Sequence, residues 1–106
     1  MRLIKKKTLK EKSESFPEAW VALAAWANDV QKADWASSQD VKQSFNSVSI
    51  INNKRAVFNI KGNQYRLVVD IEYTYKIVFI VWFGTHKAYD KINVETVNYE
   101  KSNTPH

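Results

Sequence analysis

The hydrophobic positions of this chain change their spacing near its middle. In the first half apolar side chains recur at helical spacing, and from Arg55 onward they alternate with a period of two, which is typical of strands. The clearest helix is predicted over about 17–32, because it follows a Ser-Phe-Pro-Glu start signal at 15–18. Its predicted apolar face comprises Trp20, Leu23, Ala24, Ala27 and Val30. Trp26 falls off that face, and we assign it no function.

Shorter elements are predicted on either side of this helix. Leu3-Ile4 can form a first strand, and Thr8-Leu9-Lys10-Glu11 has the spacing of a capping box that starts a short helix. Ser37-Ser38-Gln39-Asp40 predicts another short helix ending near Phe45. Residues 47–53 are extended in pattern but polar, which indicates an edge or connecting piece.

Three strands are predicted in the second half. The first two are joined by a hairpin at Lys61-Gly62-Asn63 and pair antiparallel. In the second of them, alternation places Arg66 on the face away from most apolar side chains. A turn at 74–76 leads into residues 77–83, which are apolar on both faces and indicate a central strand covered on both sides. The predicted fold class is α+β, with N-terminal helices packed on a small, mainly antiparallel sheet.

Length and composition indicate one domain. The chain has 106 residues, of which 44% are hydrophobic. It has no cysteine, which excludes disulfides, thiolate metal sites and cysteine nucleophiles. The longest apolar run, at 77–83, is far below the roughly 20 residues that cross a bilayer. We expect a soluble cytoplasmic protein with a domain at 1–92 and a mobile tail at 93–106.

The net charge of +5 is unevenly distributed. Residues 1–12 sum to +5 and residues 54–91 to +4, whereas residues 13–53 sum to −3 and residues 92–106 to −1. A positive N-terminal segment and sheet suit a polyanionic partner such as nucleic acid. The alternative is an ordinary lysine-rich solvated surface.

Polar side chains cluster where the last strand ends. His86, Tyr89 and Asp90 meet at i, i+3 and i+4 spacing if residues 85–91 are helical. Lys87 and Lys91 should favour the neutral imidazole, which can accept or donate a proton near pH 7. A surface histidine hydrogen-bonded to the chain is the alternative.

Two cations are candidates for binding phosphate. Arg66 interrupts an apolar strand, and Lys61 lies in the adjoining hairpin, so neighbouring strands could bring both towards His86. Asp70 is an alternative partner for Arg66. One internal histidine and scattered carboxylates do not make a metal site, and we expect neither a metal nor another cofactor.

Two motifs resemble HigB-type toxins of bacterial toxin–antitoxin modules. They are Val-Phe-Asn-Ile-Lys-Gly-Asn-Gln-Tyr-Arg-Leu-Val at 57–68 and Gly-Thr-His-Lys-Ala-Tyr-Asp-Lys-Ile at 84–92. The opening Arg-Leu-Ile-Lys-Lys-Lys-Thr-Leu-Lys and the Lys-Ala-Asp-Trp at 32–35 are also similar to that family. The resemblance implies a RelE-like fold and an endoribonuclease that cuts mRNA in the ribosomal A site without metal. It also implies a HigA-like helix-turn-helix antitoxin, which would link the toxin indirectly to operator DNA.

The resemblance also implies roles for individual residues. Arg66 and Lys61 would stabilise the phosphate, and His86 and Tyr89 would transfer protons, with the base and the acid left open. Tyr89 could also stack on a base. Further candidates for RNA contacts are Asn59, Asn63 and Lys91.

One position departs from the resemblance. Val81 stands in the last strand where many members carry a basic residue, and Lys54 or Arg55 could compensate. This departure motivates a second hypothesis, a non-enzymatic RNA-binding translation inhibitor on the same fold. A third is a protein-interaction domain that binds its partner through Trp20, Trp26 and Trp35.

Overall fold

The chain forms a five-stranded sheet with its longer helices on one face. A computed structural model describes residues 1–4, 9–11 and 14–97. The strands are Arg2–Ile4 (β1), Ser49–Ile50 (β2), Arg55–Ile60 (β3), Tyr65–Glu72 (β4) and Ile77–Thr85 (β5). Their order is β1-β5-β4-β3-β2, with β1 parallel to β5 and every other pair antiparallel. The predicted α+β class and mainly antiparallel sheet are confirmed.

The described helices agree closely with the sequence pattern. A 3-10 turn at Pro17–Ala19 leads into α1 (Trp20–Lys32), followed by α2 (Ser38–Ser44) and, after β5, by α3 (His86–Tyr89). The predicted helix at 17–32 and the short helix near 37–45 are therefore confirmed. The capping box begins at Thr8, which lies outside the described residues. None of the described helices is long and apolar enough to cross a membrane.

The buried face of α1 differs from the predicted one. Its fully buried side chains are Leu23, Trp26 and Val30, whereas Trp20 is 48% exposed and Ala24 faces solvent. Trp26 packs edge-on against Phe58 of β3, with 5.3 Å between ring centroids. The expectation that Trp26 lies off the apolar face is therefore wrong. Small alanines flank both tryptophans of α1, so the spacing of apolar residues did not show which tryptophan is buried. The structure shows that Trp26 fills the space above Phe58.

The main core lies between the helices and the first face of the sheet. Phe58 is at its centre, in contact with the rings of Trp26, Trp35 and Phe45. Two of the three tryptophans considered for partner binding are thus core residues, each 3% exposed. The helices of the first half of the chain therefore cover this face of the sheet.

A second, smaller core covers the opposite face. It consists of Val57, Val68, Val81 and Trp82, packed under α3 and the residues that follow it. Val94 and Val97 belong to this cover, so residues 93–97 of the expected tail lie on the sheet. The mobility predicted for 93–106 stays a prediction, and residues 98–106 lie outside the described part. The prediction that β5 is covered on both sides is confirmed.

A β-bulge shapes this second face. Val68 pairs with Trp82 and Val69 with Ile80, so Val81 is the extra residue on β5. Because of the bulge, Val81 and Trp82 both pack in the second core, although adjacent strand residues ordinarily point to opposite faces. Val81 is 5% exposed, so this departure from the resemblance is a core position.

Candidate functional site

Three strands present one polar row at the hairpin end of the second face. Asn59 of β3 is opposite Arg66 of β4, which in turn is opposite Gly84 of β5. Val57, Val68 and Trp82 form the next row towards the middle of the sheet. Arg66 therefore stands between an amide and a glycine, at the border of the second core. The sequence prediction that Arg66 projects from the face away from the main core is confirmed.

The guanidinium of Arg66 is anchored through one nitrogen only. Its Nη1 donates to the carbonyls of Asn63 and Tyr65, both at 3.1 Å. Its Cζ lies 6.0 Å from the centroid of the Tyr89 ring, within reach of a cation–π contact. Among the described residues, Nε and Nη2 of Arg66 have no hydrogen-bond acceptor. They remain available to an anionic ligand.

Asp70 does not pair with Arg66, as one alternative supposed. It forms a bidentate pair with Arg55, its direct neighbour across β3 and β4. Arg66 and Asp70 are four residues apart on one strand, or roughly 13 Å at about 3.3 Å per residue. Asp70 therefore does not neutralise Arg66, and the positive charge of Arg66 is available to a ligand.

Helix α3 begins where β5 ends, and two backbone contacts fix that junction. The Thr85 hydroxyl accepts a hydrogen bond from the Ala88 amide at 3.1 Å, which caps the helix. The His86 amide donates to the carbonyl of Gln64 at 2.9 Å, which ties the start of α3 to the hairpin. These contacts bring the side chains of α3 alongside Arg66.

The side chains of α3 differ in exposure. Nε2 of His86 lies 3.7 Å from Oδ2 of Asp90, and the two side chains are 53% and 62% exposed. The predicted meeting of His86 and Asp90 is therefore confirmed. Tyr89 is half-buried, and its ring is 6.2 Å from that of Trp82. His86 therefore faces solvent, whereas Tyr89 packs on Trp82.

The hairpin between β3 and β4 completes the rim. Lys61 and Gly62 have positive φ angles of 53° and 65°, which confirms the turn predicted from the glycine. Lys61 and Asn63 are exposed, and Nδ2 of Asn59 donates to Oδ1 of Asn63 at 3.5 Å. Within the described part of the chain, Lys61 pairs with no carboxylate. It lies at the same end of the sheet as Arg66, where it lines a groove with Ala22 and Ala25 of α1.

The remaining candidates are placed apart from this row. Lys91 is exposed two residues after the end of α3. Lys54 is exposed at the opposite end of β3. Arg55 is 6% exposed and all its guanidinium nitrogens are engaged within the protein, so the structure does not offer the expected RNA contact there.

Sequence reasoning missed two residues that shape the site. Trp82 underlies Tyr89, and Gly84 leaves room for the Trp82 indole. The sequence contained one indication of Gly84, because this glycine directly precedes the polar cluster at 85–91. Nothing in the sequence revealed the bulge that turns Trp82 towards this face.

The assembled site can hold an anion and move protons beside it. It combines a partly unsatisfied guanidinium, a phenol side chain and a solvent-facing imidazole, and the adjoining hairpin adds two amides. Among the described residues, no group of three or more His, Asp or Glu side chains is placed to hold a metal ion. The arrangement suits acid–base chemistry on a phosphate ester.

Comparison with known proteins points to one family. Residues 19–92 match the family model described as HigB_toxin, RelE-like toxic component of a toxin-antitoxin system. The mRNA interferase toxin HigB of Escherichia coli K12 is 32% identical over 92 residues, covering 85% of this chain and 88% of that protein. The mRNA interferase HigB of Escherichia coli O6:H1 is 23% identical over 94 residues, covering 87% and 91%.

Proposed function

Because this chain belongs to the HigB family, the RelE-like toxic components of toxin–antitoxin systems, we propose that it is an mRNA interferase that cuts mRNA on the ribosome. One observation supports this most directly: Arg66 and Tyr89 contact each other at the hairpin end of the second face, where the backbone of His86 is hydrogen-bonded to the hairpin. Sites that cleave RNA without a cofactor need a cation for the phosphate and two proton-transfer groups. The hairpin end of the second face supplies candidates for all three.

The proposed reaction is attack by a ribose 2′-oxygen on the adjacent phosphorus. One group removes the 2′-hydroxyl proton, the bond from phosphorus to the 5′-oxygen breaks, and a second group protonates that leaving oxygen. The products are a 2′,3′-cyclic phosphate and a free 5′-hydroxyl. The free Nε and Nη2 donors of Arg66 stabilise the charge that develops on the phosphoryl oxygens, and Lys61 adds a second positive charge from the rim.

His86 and Tyr89 are the proposed proton-transfer pair. His86 is open to solvent and can exchange its proton with water between turnovers. The Tyr89 ring is 6.2 Å from the ring of Trp82 and 6.0 Å from Cζ of Arg66, so a phosphate bound by Arg66 would lie beside Tyr89. The same ring can stack on a base and align the nucleotide for in-line attack. Asn59 and Asn63 present amides for hydrogen bonds to RNA.

The proposed context is the ribosome in the bacterial cytoplasm. Residues 54–91 carry a net charge of +4, which favours contact with ribosomal RNA. As a toxin component the protein has an antitoxin partner, for which we propose a HigA-like helix-turn-helix protein that also binds operator DNA.

Primer extension on a reporter mRNA in a reconstituted translation reaction tests the proposal. Wild type, His86→Ala and Tyr89→Ala are compared with and without ribosomes. New 5′ ends should appear with wild type and ribosomes, and should be absent with His86→Ala, with Tyr89→Ala or without ribosomes. Lys42→Ala is the control, because Lys42 is an exposed cation of α2 that we assign no role, and it should cleave like wild type.

Growth inhibition in cells separates the enzyme from the non-enzymatic alternative. Loss of toxicity in His86→Ala supports cleavage. Full toxicity of His86→Ala, together with loss of toxicity on reversing the surface charges, would instead identify an RNA-binding translation inhibitor. Absence of new 5′ ends with wild type at any concentration would overturn the proposed activity.

A further inference from the structure

Residues 92–97, here called the strap, cross the second face of the sheet directly beyond α3. Ile92, Val94 and Val97 of the strap pack against the second core. A turn within it is closed by the carbonyl of Asn93, which accepts hydrogen bonds from the amides of Thr96 at 3.1 Å and Val97 at 2.9 Å. The strap therefore continues directly from α3 and packs on the second core.

The guanidinium of Arg55 binds the strap from the side of the sheet. Nη1 of Arg55 donates to the carbonyls of Val94, Glu95 and Val97 at 3.1, 3.1 and 3.0 Å. Its Nε and Nη2 donate to the two oxygens of Asp70 at 2.7 and 2.8 Å. The Arg55 side chain is 8% exposed and that of Asp70 20%. Arg55 thus connects the far ends of β3 and β4 to the strap.

These contacts need both the charge and the shape of arginine. The planar fork meets the carboxylate through two parallel bonds and still directs Nη1 at three carbonyls, which a lysine ammonium cannot do at once. Hydrogen bonds to a charged group contribute more than neutral ones, and the strap carbonyls would lose a buried donor without them. Arg55 therefore gives the strap three hydrogen bonds in addition to those of its own turn.

The strap also helps to hold α3 in place. This helix has only four residues, too few to be stable in isolation. Its first turn is fixed by Thr85 and by the His86 amide, and beyond it the amides of Asp90 and Lys91 donate to the carbonyls of His86 and Ala88 at 3.2 and 3.1 Å. The amide of Ile92 donates to the Tyr89 carbonyl at 3.2 Å, which links the two segments. Tyr89 lies between these two anchors.

We propose that Arg55 and Asp70 are positioning residues for the cleavage site, acting through the strap to hold Tyr89 beside Arg66. Arg55 is four residues from Asn59 along β3, or roughly 13 Å at about 3.3 Å per residue, so it acts without touching RNA. The inference rests on the proposed function, because it assigns Tyr89 a part in cleavage. It makes the C-terminal segment part of the catalytic apparatus.

The double variant Arg55→Met, Asp70→Leu tests the proposal. Replacing a buried ion pair by apolar side chains of similar volume often leaves the free energy of unfolding unchanged, while it removes every donor to the strap carbonyls. Amide hydrogen exchange should accelerate in residues 86–97 and stay unchanged in the paired parts of β3 and β4. Single-turnover cleavage at saturating ribosomes should fall about 10-fold to 100-fold, with the ribosome concentration for half-maximal rate unchanged.

Lys76→Met is the matched control. Nζ of Lys76 pairs with Asp34 at 2.9 Å and donates to the Trp35 carbonyl at 2.9 Å, so it also joins a carboxylate and a carbonyl, but away from the site. This contact holds the pKa of Asp34 below its usual range. Lys76→Met should leave cleavage and the exchange of residues 86–97 at wild-type values.

The outcomes separate the two proposals. Unchanged exchange in 86–97, or faster exchange with wild-type cleavage, would overturn the positioning role. If wild type cuts no mRNA, the proposed function fails, and the exchange measurement still reports whether Arg55 holds α3. Should the double variant not fold, Arg55→Lys replaces it, since it keeps the charge beside Asp70 but cannot reach all three carbonyls. It should then show the same local acceleration.

Discussion

The indole of Trp82 lies over the backbone of Gly84, two residues further along β5. A Cβ built on Gly84 would be 2.6 Å from Cη2 and 2.8 Å from Cζ2 of Trp82, closer than side chains pack. Gly84 is also the residue directly opposite Arg66. The absence of a side chain at 84 therefore lets the Trp82 ring fill the floor of the site and support Tyr89.

Gly84→Ala is expected to impair both stability and cleavage. The new methyl group must displace a rigid ring in the second core, which costs about 1–3 kcal/mol of unfolding free energy. Moving Trp82 also shifts Tyr89, so cleavage should fall about 10-fold or more. Denaturant unfolding and single-turnover cleavage measure the two effects.

Val41→Ala is the control for this substitution. Val41 of α2 is fully buried in the main core, on the other face of the sheet, so its variant loses about 1–3 kcal/mol of unfolding free energy without touching Trp82. Its stability should fall by a similar amount while cleavage by the folded fraction stays at the wild-type rate. Equal loss of cleavage in both variants would mean that Trp82 does not support the site.

Arg66→Lys should slow cleavage while leaving the fold intact. Lysine keeps the positive charge but lacks the planar fork that donates to Asn63 and Tyr65 while offering two nitrogens to a phosphate. We expect about a 10-fold loss for lysine and about 100-fold or more for Arg66→Met, which removes the charge altogether. Single-turnover rates at saturating ribosomes give both values. A lysine variant as active as wild type would show that charge alone suffices at this position.

Much of the fold follows from the periodicity of the chain. The change from helical spacing to alternation near Arg55 predicts helices followed by strands, and Gly62 marks the hairpin. The position of Arg66 follows from alternation in β4, and that of His86 from its place after the last strand. These predictions hold because strand pleat and turn chemistry are local properties.

Features that depend on contacts between distant residues could not be predicted in this way. Alternation places Trp82 on the helix side of β5, and only the bulge at Val81 turns it to the second face. Arg55 appears in sequence as a surface cation because its three carbonyl acceptors lie about 40 residues away. Both features lie on the side of the sheet that the strap covers.

Tyr89→Phe separates the two roles proposed for Tyr89. Phenylalanine keeps the ring between Trp82 and Arg66 and removes only the hydroxyl, so the fold and any base stacking should persist. If the hydroxyl transfers a proton, the single-turnover rate should fall about 100-fold, within the range typical of general acid–base catalysis. The pH–rate profile should also lose one limb. A variant that cleaves at the wild-type rate would show that Tyr89 only stacks on the base. His86 would then carry out both proton transfers, or share them with another residue such as Lys61.

Val81→Lys should destabilise the protein and fail to raise its activity. The resemblance suggests a missing cation at this position, but Val81 is 5% exposed in the second core, where an ammonium group has no carboxylate partner among the described residues. Burying an unpaired charge there should lower the free energy of unfolding by roughly 3 kcal/mol or more. Denaturant unfolding measures the loss, and Val81→Ile, which keeps the apolar character, is the control. A stable Val81→Lys variant with faster cleavage would show that the strap yields to a longer side chain and that the second core takes part in binding phosphate.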